Sequence, residues 1–322
     1  MTRAGLTVPL HGLPLAAHAD WLRELQDLGY TDLWSAEVGG NDAFTPLAVA
    51  AEAAPWARLG TAIAGVFTRG PALLAMQAAS LAEAAPGRFV LGLGASSPAI
   101  VEDWNAGSFE RPLARVRDTI RFLRRVLRGE RVDESYETFA VHGFRLERPP
   151  AEAPPIYLAA LRERMLQLAA READGAILGL VTVDDVRRVA SIARADQPGL
   201  DLVVRIGVVP SADAERCRAQ CRRVVAAYMN APAYAGFHQW MGRGDTLAPI
   251  QRAWRAGDRA AAVAAVPDWL ADGLFVHGSP ASCRDKIAAF VDAGITTPVI
   301  SIMPFGGDLR QAARELSPSA TT

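Results

Sequence analysis

Lysine and cysteine are scarce in this sequence of 322 residues, and its net charge is close to zero. Lys286 is the only lysine among 34 basic residues, so Schiff-base or pyridoxal chemistry would have to depend on it. There are three cysteines, and the pair at Cys217 and Cys221 matches neither a disulfide framework nor a metal-site spacing, so no metal is predicted. A net charge of -1 gives no overall attraction to nucleic acid or anionic lipid, and neither partner is expected.

Long apolar runs are missing as well. Charged residues, Gly or Pro interrupt each run before the roughly 20 residues that a membrane span needs, so no membrane partner is predicted. The sequence begins without the apolar segment of a signal peptide, which predicts a cytoplasmic protein. Half of the residues are hydrophobic and 21% are charged, which is typical of a globular protein with a large core.

Short apolar segments alternate with helical patterns along the chain. Seven such segments are each followed by residues at helical spacing, and an eighth comes near the end. A doubly wound sheet would also alternate, but its glycine fingerprint should follow the first strand, where the chain has only Pro9, Leu10, His11 and Gly12. The sequence therefore predicts a (β/α)8 TIM barrel with its parallel strands covered by helices. The predicted strands span residues 5–10, 32–37, 58–66, 88–94, 155–160, 175–178, 202–209 and 298–303.

Two segments are longer than a barrel requires. Residues 132–154, between strands four and five, are typical of a hairpin with a linker, and residues 230–277, after a seventh helix at 212–229, should add two or three helices. Because loops at the carboxyl ends of barrel strands carry the chemistry, both insertions are candidate substrate covers. We expect one domain over residues 1–316 and a flexible tail over 317–322.

Few ionisable residues follow the predicted strands. His11 after strand one and Glu37 after strand two are the only good proton-transfer residues among them. Alternation places Leu33, Ser35 and Glu37 on one face of strand two, and that face should turn into the barrel mouth. There Glu37 would have a raised pKa and act as general acid or base. The structural alternative is a fixed ion pair with Arg69.

The other strand ends offer backbone groups. Gly94, Ala95 and Ser96, after strand four, would let a flat ring lie against bare backbone. The segment after strand five opens a helix, whose free N–H groups favour a phosphate, although an ordinary turn is equally compatible with it. Its residues are Ala159, Ala160, Leu161 and Arg162. No catalytic triad and no carboxylate pair emerges, which indicates a cofactor that brings its own chemistry.

Several blocks of sequence together carry a family resemblance. They are residues 59–63 (LGTAI), 68–72 (TRGPA), 86–94 (PGRFVLGLG), 155–160 (PIYLAA), 173–175 (ADG) and 278–280 (GSP). Together they resemble the luciferase-like monooxygenase superfamily over nearly the whole chain, and residues 59–94 are the most specific part. The stretch Ser96-Ser97-Pro98 with Trp104-Asn105 is most similar to the actinobacterial oxidoreductases assigned to the deazaflavin coenzyme F420.

This resemblance implies that F420, or alternatively FMN, binds at the carboxyl ends of the strands, where a hydride is exchanged with C5 of the deazaflavin. It also implies a non-proline cis peptide between Ala62 and Ile63, in a bulge behind the ring. The cofactor phosphate would lie at the start of the helix after strand five. The residues assigned to the cofactor are His11, Ala62, Ile63, Thr68, Arg69, Gly94, Ala95, Ser96, Ala159, Ala160, Leu161 and Arg162.

The chain also departs from the F420 sugar-phosphate dehydrogenases of that family. Those enzymes carry an Asp-His pair in place of Ala36-Glu37 and a Glu in place of Ser97, so oxidation of their sugar phosphate is not expected. Their phosphate loop has Gly-Pro in place of Arg162-Glu163, so the phosphate contacts should differ.

The leading hypothesis is an F420-dependent oxidoreductase with a small-molecule substrate. One alternative is an FMN-dependent monooxygenase, which would need a flavin reductase as partner. Another is a barrel that binds a flavin or other ligand without turnover, since the strand ends carry few ionisable residues. A flavin-free aldolase is disfavoured by the single lysine, and a homodimer is left open.

Overall fold

Eight parallel strands close into a barrel. The computed structural model describes residues 3–211, 213–305 and 307–321. Its strands are β1 (Gly5–Thr7), β2 (Asp32–Ser35), β3 (Arg58–Thr61), β4 (Ala64–Gly65), β5 (Phe89–Gly94), β6 (Val132–Ser135), β7 (Ala140–Phe144), β8 (Ile156–Ala159), β9 (Gly175–Gly179), β10 (Asp201–Pro210), β11 (Phe275–Gly278) and β12 (Thr297–Ile302). The barrel runs β1-β2-β3-β5-β8-β9-β10-β12, and β12 pairs in parallel with β1. The predicted (β/α)8 fold is confirmed.

Helices cover the outside of the barrel and its insertions. They are α1 (His18–Asp27), α2 (Thr45–Ala53), α3 (Pro71–Ala84), α4 (Pro112–Val126), α5 (Glu163–Glu172), α6 (Val183–Asp196), α7 (Ala214–Tyr228), α8 (Pro232–Trp240), α9 (Gly244–Arg255), α10 (Arg259–Ala264), α11 (Asp268–Leu274), α12 (Pro280–Asp292) and α13 (Leu309–Glu315). Proline opens several of them, and side-chain caps fix others: Thr182 and Asp185 form a reciprocal capping box on α6, and Ser279 caps α12.

The third predicted strand is interrupted. Residues 58–66 form β3 and β4, separated by a cis peptide between Ala62 and Ile63. The cis peptide that the family resemblance implies is therefore confirmed. The hydrophobic pattern alone predicts one continuous strand here, because the residues on both sides of the break are apolar. The structure buries them on both sides.

The barrel interior has a filled lower part. Inward-facing side chains form a cluster of their own, consisting of Trp34, Ala62, Val90, Tyr157, Ile177, Val203 and Val299. Trp34 lies so close to Gly60 that a Cβ on that glycine would be 2.3 Å from the indole ring. Below, at the amino-terminal ends of the strands, Arg58 is paired with Asp32 and donates to Thr297 Oγ1 at 3.0 Å. Tyr157 donates its hydroxyl to Asp201 in the same polar cluster. Trp34 and this cluster together close the base of the barrel.

The long segment before the last strand is richer than predicted. Residues 230–277 contain four helices, α8 to α11, and end in β11, which pairs with the carboxyl end of β10. With α7, helices α9, α10 and α11 enclose a second apolar core that includes Cys217, Cys221 and Leu270, whereas Phe237 of α8 belongs to the main core. The prediction of α7 as the seventh barrel helix is wrong, because α12 is the helix that packs on β10 and β12. The predicted first residue of α7, Ala212, lies outside the described residues.

The other insertion is the predicted hairpin. Strands β6 and β7 pair in antiparallel fashion, and their aromatic side chains pack around Phe122 of α4. The hairpin follows α4 and therefore belongs to a connection from helix to strand. Its packing along α4 does not support the expected role as a cover over the mouth.

The last described residues form a short 3-10 helix at Pro318–Thr321. There Ser319 donates its backbone N–H to the carbonyl oxygen of Leu28 at 3.3 Å. The flexibility expected of residues 317–322 stays a prediction. Among the described residues, no helix has the length and apolar character needed to cross a bilayer.

Candidate active site

The upper part of the barrel interior is lined by small side chains. Parallel-barrel interiors stack in layers, each made of one inward residue from every second strand. The layer above Trp34 consists of Thr7 on β1, Ala62 after β3, Ala159 on β8 and Arg205 on β10. Three of these four side chains are small, which makes the carboxyl ends of the strands the candidate site.

Close backbone contacts hold the cis-peptide bulge against β5. Thr61 Oγ1 donates to the carbonyl oxygen of Gly92 at 2.7 Å and accepts the N–H of Gly92 at 2.8 Å. A Cβ on Gly92 would lie 1.8 Å from the carbonyl oxygen of Thr61. A Cβ on Gly94 would lie 2.8 Å from Cγ1 of Ile63 and 3.1 Å from Cβ of Ala159. Glycine at both positions lets the bulge form a flat wall of backbone and small side chains beside the open layer.

Glu37 is held by Arg69. The guanidinium donates to both carboxylate oxygens, and its Nη1 lies 2.6 Å from Oε1. The backbone N–H of Ala43 donates to Oε2 at 3.1 Å. Burial alone would raise the pKa of Glu37, but the hydrogen bonds and charge of Arg69 and the Ala43 N–H outweigh it and hold that pKa below its ordinary value. The predicted rise in pKa is therefore wrong.

The facing assumed for strand two is also wrong. Trp34 belongs to the interior cluster, whereas Leu33 belongs to the outer core beneath the helices. The mouth-facing continuation of β2 is thus Ala36, and Glu37 follows on the other side, beside Thr68 and Arg69. The fixed ion pair, the structural alternative for Glu37, describes this geometry. A catalytic role of Glu37 stays a prediction.

The other predicted site residues fall into three groups. Ala95 and the left-handed Ser96 (φ 66°) continue from Gly94 at the mouth, whereas His11 is exposed and has no hydrogen bond to any described residue. Ala160, Leu161 and Arg162 lead from β8 into α5.

The start of α5 was predicted to bind a phosphate. Arg162 is the N-cap residue of α5, and its side chain makes no cap hydrogen bond. The residue is exposed, its guanidinium lies against Gly236 of α8, and it forms no hydrogen bond or ion pair with residues 3–211, 213–305 and 307–321. Glu163 places a negative charge in the first turn, which weakens the attraction for an anion.

Three interior residues were missed by the sequence reasoning. Thr7 Oγ1, Trp34 Nε1 and Arg205 Nε are buried without a hydrogen-bond partner in the part of the chain that the structure describes. Arg205 carries a signal in the sequence, because a charged residue interrupts the apolar strand at residues 202–209. Thr7 and Trp34 could be placed in the barrel interior only from the alternation of inward and outward side chains along their strands. For β2 that alternation was predicted the wrong way round.

Comparison with known proteins adds a family to this geometry. A family model described as luciferase-like monooxygenase matches residues 2–297. The chain belongs to the luciferase-like monooxygenase family. A relative from Mycobacterium tuberculosis named "Putative coenzyme F420-dependent oxidoreductase" is 27% identical over 324 residues, covering 89% of this chain and 91% of that protein.

Solved structures of the luciferase-like fold match almost the whole chain. The coenzyme F420-dependent tetrahydromethanopterin reductase from Methanopyrus kandleri has a TM-score of 0.79 and 19% identity, covering 98% of this chain and 97% of the other. The oxygenating constituent of 3,6-diketocamphane monooxygenase from Pseudomonas putida, solved with FMN, has a TM-score of 0.64 and 18% identity, covering 99% and 97%. At these identities the likeness concerns the fold, which is common to members with either cofactor.

Proposed function

We propose that this luciferase-like protein is an F420-dependent oxidoreductase that transfers a hydride between F420 and a small organic substrate. The observation that carries the proposal is the wall of backbone and small side chains at the barrel mouth, where Ile63 and Ala159 lie against Gly94. Such a wall can support the flat ring of F420. The F420-dependent name of the mycobacterial relative supports the same cofactor.

The residues present fit a flat ring with a phosphate-bearing tail. Ile63, Gly94 and Ala159 form a flat apolar wall without charged groups. Bound F420 would supply hydride chemistry at C5. Arg162 and the free N–H groups at the start of α5 would hold its phosphate.

The ion pair of Glu37 has a positioning role in this proposal. Arg69 lies with its guanidinium 5.3 Å from the ring centre of Phe44, and Glu37 keeps it there. The pair therefore fixes the loop after β4, which borders the bulge. With its pKa held low, Glu37 is a carboxylate at neutral pH and has no proton to donate.

Binding titrations of the purified protein with F420 and FMN test the cofactor. We expect F420 to bind more tightly than FMN, and Arg162→Gln to weaken F420 binding about three- to tenfold. Arg171→Gln, at the other end of α5, is the matched control and should bind F420 like the wild type. FMN copurifying at one per chain, or equal affinities, would instead identify an FMN-dependent monooxygenase. Tight binding of either cofactor without turnover of any substrate would leave a ligand-binding barrel.

A further inference from the structure

Arg205 is a charged side chain in a place that barrels fill with apolar residues. It lies on β10, two residues after Val203, whose side chain belongs to the interior cluster. Strand alternation therefore points Arg205 into the barrel, in the same layer as Thr7 and Ala62.

 The β8 member of that layer is Ala159. Arg205 is thus the one long side chain of the four at the floor of the candidate site.

No acidic group compensates this charge. Arg205 Nε is buried without a hydrogen-bond partner, and the side chain forms no ion pair within the described part of the chain. Burial lowers the pKa of Arg205, and the ionisable side chains that act on it are those of Tyr234 and Tyr228, with no carboxylate among them. Arg205 is partly buried as a residue and its Nε is fully buried, and a cation held in such a place without a counterion is costly.

The arginine at the base of the same barrel shows the contrast. Arg58 is also largely buried, but it is paired with Asp32 and lies 3.8 Å from Asp201. Arg58 therefore has the counterions that a structural arginine requires. Arg205, a few residues higher in the same interior, has none.

A second orphaned polar atom lies in the layer of Arg205. Thr7 Oγ1 is buried and has no hydrogen-bond partner. Its hydroxyl can donate to an oxygen that also accepts from a guanidinium, and Arg presents a planar fork that matches a carboxylate. The two side chains come from β10 and β1, which are separated in the barrel only by β12.

We propose that Arg205 and Thr7 form an anion-binding subsite at the floor of the substrate pocket, and that the substrate is an organic carboxylate. The assignment to substrate rests on the proposed function, because the bulge that would support the cofactor ring follows β3. In the order of eight strands, β3 and β10 lie on opposite sides of the barrel. Arg205 therefore faces the side of the ring that the bulge leaves open.

Calorimetric titration with acetate, succinate and benzoate at constant ionic strength tests the subsite, with benzamide as the uncharged analogue of benzoate. We expect saturable binding of at least one carboxylate, weakened about tenfold to 100-fold in Arg205→Met. Benzamide binding should be the same in both proteins. Arg255→Met, which removes an exposed arginine of α9, is the matched control and should bind like the wild type.

Thermal unfolding of the ligand-free variant separates this role from a structural one. Because Met removes an uncompensated buried charge, Arg205→Met should melt about 2–6 °C above the wild type. A lower melting temperature, a variant that does not fold, equal carboxylate binding by wild type and variant, or no binding of any of the three carboxylates overturns the proposal.

The same titrations on protein loaded with F420 keep the two proposals distinguishable. Carboxylate binding that persists with F420 bound supports a substrate subsite. Competition with F420 overturns the assignment to substrate and gives Arg205 to the cofactor. Failure of F420 to bind, with Arg205-dependent carboxylate binding intact, refutes the proposed function and leaves the anion site.

Discussion

Replacing Glu37 by Gln tests whether this residue is an ion-pair partner or an acid–base catalyst. The side chains of Glu37 and Arg69 are only 16% and 10% exposed, so the substitution leaves a buried guanidinium without its counterion. Gln keeps the shape and one acceptor oxygen, but it removes the charge. We expect a loss of about 2–4 kcal/mol in the free energy of unfolding, toward the lower end of values for broken buried pairs.

The corresponding thermal shift follows from the size of the chain. An unfolding entropy of about 2 cal/mol/K per residue gives roughly 0.7 kcal/mol/K for this chain, so the melting temperature should fall by about 3–6 °C. Glu24→Gln is the matched control, because it breaks the pair between Glu24 and Arg314, whose side chains are 35% and 41% exposed. Its effect should be about 1 °C or less.

The pH dependence of the shift adds an independent check. The folded pKa of Glu37 lies below its ordinary value of 4.5, so the carboxylate stabilises the fold above that pH and loses its contribution as the pH falls through the folded pKa. Gln does not titrate. The difference in melting temperature between wild type and variant should therefore be constant near neutral pH and should become smaller at acid pH.

A catalytic role of Glu37 predicts a different result for the same variant. A Glu37→Gln protein that melts like the wild type, binds F420 normally and loses about 100-fold or more in turnover would refute the ion-pair reasoning. It would then establish Glu37 as the general acid or base.

Three further substitutions test the bulge and the base. Gly94→Ala should lower stability by about 1–3 kcal/mol in urea unfolding, because its Cβ would crowd Ile63, whereas Gly40→Ala, with no atom within 4 Å, should be neutral. Thr61→Val keeps the shape but leaves the buried N–H of Gly92 unpaired; a cost below about 1 kcal/mol would contradict the contact described. Tyr157→Phe removes the hydroxyl that contacts Asp201 and should cost about 1–2 kcal/mol without changing F420 affinity, since it lies at the base.

Much of the barrel could be predicted because its strands are short apolar segments at regular intervals. The break after Thr61 could not be predicted from hydrophobicity, since Ala62 and Ala64 are as buried as their neighbours. It was predicted only from the resemblance to the luciferase-like family. The extra strand β11 could not be predicted, because it has only four residues and follows α11 directly, with no turn between them.

The candidate site was harder to predict than the fold. Small residues at the strand ends were assigned to the mouth from chain order, which needs no knowledge of side-chain direction. The facing of Leu33 and Trp34 was assigned the wrong way round, because both are large and apolar and either could fill the interior. Tertiary packing decides between them: the space for Trp34 exists because Gly60 on the neighbouring strand has no side chain.

The closed base of the barrel limits the route by which ligands come and go. Trp34 and the paired Arg58 block the amino-terminal end, so cofactor and substrate would share the opening at the other end. Because the bulge and Arg205 lie on opposite sides of the barrel, the two ligands would lie side by side, and neither has to leave before the other can exchange. Steady-state kinetics should then show no compulsory order of addition.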